Sequence, residues 1–341
     1  VCSSDLKEAL KRKVDFGIWL EPEMVNPQSE LYQKHPDWII TQPKRTPILG
    51  RHQEILDLTR PEVQAFEWQV IDKTLRPNPD ISYVKWDCNR YITQPGSGYL
   101  QPAEQSHLWI DYNWALYRLM ERFSKEFPNV MAMLCAGGSG RVDYGALPYF
   151  HSFWPSDNTD PLGRIKIQWG FSHFFPASTI SAHVTRMGKR HLKLAIDVAL
   201  SGAFGIDLAL DKATAEERVQ IADAVKLYKA SIRPLVMQGE LYRLVSPYEH
   251  PMASLSYVST DKNDAVVYLY QIQDGSVPQV ILGGLDARKN YRVEEVGLPK
   301  GSTSRFPGHG KIFSGAELMS TGIANPLNAQ FESAILLLKT Q

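Results

Sequence analysis

The chain has 341 residues, 43% of them hydrophobic, and its 37 basic and 37 acidic side chains cancel. That length exceeds one small core and suits one large domain with a modest second one, while the balanced charge supplies no field to draw nucleic acid or an anionic membrane. No apolar run reaches membrane-spanning length, and Cys2, Cys88 and Cys135 lack metal-ligand spacing, which argues against a membrane anchor, a disulfide framework and a zinc site.

The chain opens on strong helix formers, Asp5-Leu6-Lys7-Glu8-Ala9-Leu10-Lys11-Arg12-Lys13, that run straight into an apolar strand. With no initiating Met, this start reads as a cut edge inside a helix. From residue 15 to about 210, short apolar strands alternate with polar loops and amphipathic helices, a pattern of parallel strands covered by helices. Strands are expected at 16–20, 83–86, 130–135, 152–154, 179–184 and 203–208. Between them, Thr59-Arg60-Pro61-Glu62 reads as a capping box with Thr59 as N-cap. Residues 111–127 form a helix on the spacing of Trp114, Leu116, Tyr117, Met120 and Phe123. Another helix spans 214–231, started by Thr214 with Glu216 and Glu217 in its first turn and stopped before Pro234.

The loops that leave these strands are long and rich in Gly, Pro, Asn and Asp, whereas those entering them are short. In a (β/α)8 TIM barrel that asymmetry marks the catalytic face. Six repeats and a severed start imply an α/β chain built on such a barrel lacking its first two strands, over residues 1–237. A doubly wound sheet is the competing topology, but no Gly-rich phosphate loop stands in a strand-turn-helix context. Past residue 238 the texture becomes alternating, with strands at 253–258, 265–270, 280–282 and 334–338 and a loose hairpin at 299–311. Residues 238–341 are therefore expected to form a small antiparallel β-sandwich domain.

Two strand-length runs end in an aspartate beside aromatic residues: Ile81-Ser82-Tyr83-Val84-Lys85-Trp86-Asp87 and Phe150-His151-Ser152-Phe153-Trp154-Pro155-Ser156-Asp157. Two such carboxylates are the minimum equipment for hydrolysing a glycosidic bond, and an indole face packs well on the C–H face of a sugar. Each is also the residue type that opens a turn or caps a helix. Asp87 follows Lys85 by two, so both leave the strand on one face, where the lysine favours an ionised carboxylate. Asp160 fits a cap for the segment after Pro161, which leaves the chemistry to Asp157.

Cys135-Ala136-Gly137-Gly138-Ser139-Gly140-Arg141 permits close backbone approach to a ligand but lacks the ending of a phosphate loop. A nucleophilic thiol at Cys135 has no basic neighbour in sequence, so a polar pocket contact fits better. Glu21 and Glu23, after Trp19, are open to either a catalytic or a loop-tying role. Gly50-Arg51-His52-Gln53 offers donors to sugar hydroxyls or to a structural ion pair. His173 and His183 raise a metallohydrolase reading that no metal-binding spacing supports.

Taken in order, Phe16 through Asn26, Gly50-Arg51-His52-Gln53, Lys85-Trp86-Asp87-Cys88-Asn89, Cys135 through Arg141 and Ser156-Asp157-Asn158-Thr159-Asp160 resemble glycoside hydrolase family 36, the bacterial α-galactosidases. The similarity runs from about residue 6 to 235 and, more weakly, through the C-terminal β domain. It implies a retaining double displacement without cofactor or metal, acting on a small oligosaccharide such as raffinose or melibiose. Asp87 would be the nucleophile and Asp157 the acid and base, with Trp19, Arg51, Lys85, Asn89, Cys135, Gly137 and Trp154 lining the galactose pocket. No nucleic-acid or membrane partner is implied, and a homo-oligomer of the full-length protein is compatible with it. The glycine loop departs mildly from the family's usual Cys-Ser-x-Gly-Gly-Gly-Arg form. The family's N-terminal β-sandwich and first two barrel strands, which carry two galactose-binding aspartates, have no counterpart in the sequence. Other expectations are an α-N-acetylgalactosaminidase, a galactosyl-transferring relative, or a non-catalytic carbohydrate-binding fragment.

Overall fold

In the computed structural model, which describes residues 3–341, the chain forms two compact units divided in sequence between Trp154 and Pro155. Phe16–Leu20, Ile81–Trp86, Met131–Leu134 and Ser152–Phe153 make the sheet of the first, in chain order and with every neighbouring pair parallel. Helices Pro61–Leu75 and Leu108–Glu126 are the crossovers that a parallel sheet requires. Val84 and Trp86 on one face of the second strand are fully buried, and the Trp86 ring meets Phe123 edge-on at 6.0 Å. Side chains two residues apart share a strand face, so Tyr83, Lys85 and Asp87 point the other way.

Three helix expectations meet corrections. Thr59 does not cap: the helix starts at Pro61 with Arg60 in the cap position and no side-chain cap. Its hydroxyl is instead spent on the buried Asp57 carboxylate at 2.6 Å. In Leu108–Glu126 the buried stripe runs through Tyr112, Ala115, Leu116, Leu119, Met120 and Phe123, while Trp114, off that stripe, is 61% exposed. Thr214 and Glu217 do form a capping box, but the helix Ala215–Leu227 does not stop before Pro234. It widens into a π-helical segment, Tyr228–Ile232, and continues as Arg233–Gln238 with Pro234 in its first turn. The wider turn accommodates a residue that brings no N–H and whose ring would crowd the preceding carbonyls.

The second unit contains a parallel pair, Ser181–Val184 with Ala203–Ile206, and an antiparallel six-stranded sheet. In spatial order its strands are Ile312–Ser314, Asn290–Val296, Ser333–Thr340, Asp264–Gln271, Met252–Val258 and Glu240–Val245. Residues 299–311 connect the first two as a hairpin loop. The expected strand at 280–282 shrinks to Gln279–Val280, paired with Ile323–Ala324. Glu240–Val245 and Asn290–Val296 add strands that the apolar pattern did not indicate.

Alternation puts this sheet between two cores. Leu255, Tyr257, Val266, Tyr268 and Leu337 pack with helix residues Ile196, Val198, Ile221 and Ile232. The opposite face, with Val267, Leu269, Val293 and Leu336, packs on Leu282, Leu318 and Ile323. Three buried tyrosines then tie sheet to helix: Tyr270 donates to the carbonyl of Asp197 at 3.1 Å, Tyr268 to that of Leu200 at 2.8 Å, and Tyr257 to that of Ser201 at 2.8 Å. These carbonyls belong to the last turn and exit of helix Leu192–Ala199, where no intrahelical donor is available. The antiparallel sheet therefore shares one core with the helices before it.

Candidate active site

Strand register decides which side chains of the first unit converge. Trp19 stands opposite Lys85, Lys85 opposite Met133, and Met133 opposite Ser152. Two residues on, where the strands end, the same face carries Asp87, Cys135 and Trp154. Cys135 N–H donates to the carbonyl of Trp86 at 2.8 Å and Trp154 N–H to that of Leu134 at 3.0 Å, which continues the ladder past the strand ends.

Asp87, 3% exposed, is the centre of this layer. Its Oδ2 accepts from the indole Nε1 of Trp19 at 3.1 Å and faces Lys85 Nζ at 3.5 Å, and its Oδ1 accepts from the N–H of Cys88 at 2.9 Å. Burial pushes the carboxyl upward, but the Trp19 hydrogen bond, the Lys85 charge and the Asn89 and Cys135 side chains outweigh it and hold the pKa below the ordinary value. Lys85 also lies 5.7 Å from the centre of the Trp154 ring, whose indole packs with Tyr83, Met133 and Cys135. The result is an ionised carboxylate at a strand end, walled by aromatic rings.

Burial, followed by the nearby Asp87 charge, pushes the Cys135 thiol up to about 12 although the N–H of Gly138 opposes the shift. Burial thereby favours the neutral thiol over a thiolate nucleophile at neutral pH. Beyond Cys135, Gly137 and Gly138 turn the chain with φ of +58° and +97°. A side chain at either would be strained, and these glycines keep the backbone bare beside the layer.

Glu21 and Glu23 turn out to be structural ties. Glu21 accepts from the backbone N–H of Asn89 at 2.8 Å and from Gln53 at 2.8 Å, fixing the loop after Asp87. Glu23, fully buried, accepts from Trp86 Nε1 at 3.1 Å, from the Tyr112 hydroxyl at 2.7 Å and from Arg141. Thus one carboxylate grips the strand carrying Asp87 and the end of the glycine loop. The Glu23–Arg141 pair spans 118 positions and has no local signature that a sequence could display. Glu67 lies fully buried beside it; burial, then the Glu23 charge, raises its pKa well above the ordinary value against the pull of Arg141.

Arg51 takes no part in the hydrogen bonds and ion pair that Asp87 makes in this layer. It occupies, with His52, the tip of a tight hairpin between Gly50 and Gln53, both tip residues having positive φ, and it is exposed. Among the described residues no hydrogen bond or ion pair joins it to Asp87.

Asp157 belongs to the second unit, exposed in the loop before helix Pro161–Phe171. That loop is pinned locally: Asn158 N–H donates to Ser156 Oγ at 3.1 Å, Asp160 N–H to Asn158 Oδ1 at 3.0 Å, and the hydroxyls of Thr159 and Thr185 share a hydrogen bond of 2.8 Å. Arg164, 2% exposed, has its pKa lowered to about 10 by burial, with the Asp157 charge opposing the shift. Asp160 stands at the N-cap position, but its carboxylate makes no cap bond and faces Arg190 at 3.4 Å instead. Gly188, at φ +74°, leaves room for that carboxylate, since a Cβ there would fall upon it. Among the described residues no group of three metal-capable side chains occurs, and no helix is long and apolar enough to cross a membrane.

Comparison with known proteins identifies the family. The melibiase family model matches residues 3–239, and the model of the glycosyl hydrolase family 36 C-terminal domain matches 252–338. Alpha-galactosidase AgaA of Geobacillus stearothermophilus is 38% identical over 94% of the chain, and alpha-galactosidase 2 of Hypocrea jecorina 34% over 96%. The matched parts are 43% and 42% of those proteins, so the chain spans less than half the length of these relatives. A crystal structure of an AgaA variant in complex with raffinose superposes with a TM-score of 0.89 at 36% identity, covering 98% of the chain and 46% of that structure. The alpha-galactosidase from Lactobacillus brevis gives 0.89 at 32% identity over the same shares, 98% and 46%. With a mixed α/β fold, an antiparallel sheet and both family models matched in order, the chain belongs to glycoside hydrolase family 36.

Proposed function

We propose that this chain is the part of an α-galactosidase that carries its catalytic carboxylates, hydrolysing terminal α-galactosyl groups of oligosaccharides with retention. The observation that carries the reading is Asp87: a buried carboxylate at a strand end, held ionised by Trp19, Lys85, Asn89 and Cys135. In the first step Asp87 attacks the anomeric carbon while the bond to the leaving oxygen breaks. The galactosyl group passes to Asp87 as an ester of inverted configuration, and Asp157 gives its proton to the departing oxygen. In the second, Asp157 takes a proton from water, whose oxygen displaces Asp87 and restores the original configuration. Such an exchange requires the two carboxyl groups about 5 Å apart. Trp19, Lys85, Asn89, Cys135, Gly137 and Trp154 are assigned to the galactose pocket, with Arg51 reaching it from its hairpin.

Raffinose and stachyose complexes of AgaA variants support galactosyl oligosaccharides as the substrate class. The same reading assigns residues 1–237 to a (β/α)8 barrel whose first two strands are contributed from outside this sequence, and 238–341 to a C-terminal β-sandwich domain. Assay of the full natural polypeptide on a chromogenic α-galactoside tests it. Asp87→Ala is expected to lower kcat by about a thousandfold or more. Asp157→Ala is expected to spare the chromogenic substrate relative to raffinose, because an acidic phenol departs without a proton. Activity that survives Asp87→Ala would overturn the assignment.

A further inference from the structure

Four residues beyond Asp87, Tyr91 is 67% exposed, in contrast to the buried layer it follows. It is not a frayed loop residue. Asn89 before it is held by Glu21, and Arg90 is buried, paired with Glu54 at 3.1 Å and donating to the carbonyl of Ile48. Gln94 after it accepts from the N–H of Ile48 at 2.9 Å and donates to the carbonyl of Thr46 at 3.0 Å. The segment is thus stitched to its neighbour on both sides of the tyrosine, and the ring alone is turned outward.

That ring lies along the glycine turn. Its Oη is 3.3 Å from where a Cβ on Gly137 would stand, and its Cε1 is 3.5 Å from the corresponding point on Gly140. One edge of Tyr91 therefore rests on the backbone next to Cys135 and Asp87 while the remainder faces solvent. An enzyme that removes a terminal sugar encloses that sugar and leaves the rest of the substrate extending outward. Tyr91 thus supplies an anchored, exposed aromatic ring beside Gly137, which the functional reading assigns to the galactose pocket.

From this geometry we propose that Tyr91 is the aromatic platform for the leaving-group sugar, the pyranose joined to the terminal α-galactosyl group, stacking on its C–H face. The inference rests on the α-galactosidase reading and adds a specificity-determining residue to it. The same platform holds the sugar acceptor when galactose is transferred to a saccharide instead of water, since acceptor and leaving group enter by one path.

A substrate without a leaving sugar separates this role from a structural one. In the full natural polypeptide, kcat/KM is measured on raffinose and on α-galactosyl fluoride, for the unmodified enzyme and for Tyr91→Ala, Tyr91→Phe and Tyr91→Trp. Tyr91→Ala is expected to lower kcat/KM on raffinose between about threefold and tenfold, chiefly through KM, and to leave α-galactosyl fluoride within about twofold. Phe and Trp should retain raffinose turnover. An equal loss on both substrates would make Tyr91 a structural residue and overturn the inference, as would unchanged kinetics on raffinose. If the unmodified enzyme turned over neither substrate, the functional reading itself would fall, and the inference with it.

Discussion

Trp19 Nε1 donates to Asp87 Oδ2 at 3.1 Å across two parallel strands in which Trp19 stands opposite Lys85. The hydrogen bond exists because register sets the indole one step short of the carboxylate on the same face. It stabilises the charged form, so its removal raises the Asp87 pKa. Trp19→Phe keeps a ring and deletes the donor. The acidic limb of the kcat/KM profile should move to higher pH, with a loss of about tenfold or more near neutrality, the worth of one hydrogen bond to a charged group. A pH–rate series checks the direction, and an unmoved limb would mean that Asp87 is not the group titrating there.

Glu23 grips Trp86, Tyr112 and Arg141 at once. Replacing it with Leu leaves the Arg141 charge without its partner, and breaking a buried pair from one side costs about 3–5 kcal/mol. Urea unfolding should show that loss for Glu23→Leu and a smaller one for Glu23→Gln, which keeps an acceptor. Equal stability of all three proteins would contradict the network.

Glu67 behaves in the opposite sense to Asp87 with pH. Its folded-state pKa is raised by burial and by Glu23, so the folded protein holds a proton that the unfolded chain has released. Its contribution is fully present below the unfolded value near 4.5 and is lost as pH rises through the folded pKa. Glu67→Gln removes that titration. The stability of the variant relative to wild type should grow as pH rises above about 4.5, measured by unfolding at several pH values. A difference independent of pH would refute the assignment.

Cys88 and Cys135 are both buried, and burial raises each thiol to about 12. Neither should be alkylated by iodoacetamide in the native protein at about pH 8, whereas unfolding in guanidinium should expose both. Peptide mapping reads the two positions separately. Rapid native labelling of Cys135 with loss of activity would return the thiol to consideration as a reactive group.

Much of this site was legible in the sequence because strand parity is local. Lys85 and Asp87, two apart, had to share a face, and the run from Ile81 to Trp86 announced its own strand. Asn290–Val296 escaped notice because its inward face, begun by Tyr291 and Val293, continues with the charged Glu295 while the apolar Val296 falls on the other face; Glu295 is nonetheless buried and accepts from Ser304 at 2.5 Å. Thr59 had the local form of a cap, and that form does not reveal that its hydroxyl turns back to Asp57, two residues before it. The roles of Glu21 and Glu23 were equally closed to local reading. Their partners lie far along the chain, at Asn89 and Arg141, and only packing decides which carboxylate meets chemistry and which meets an arginine.

In the proposed double displacement Asp87 becomes covalently attached to the sugar. Incubating the full natural polypeptide with a 5-fluoro-α-galactosyl fluoride, which slows the second step, followed by peptic digestion and mass spectrometry, tests it directly. One fluorogalactosyl unit is expected on the peptide containing Asp87, with the ester at that residue. A stable label on any other carboxylate, or turnover that never passes through a labelled enzyme, would contradict it.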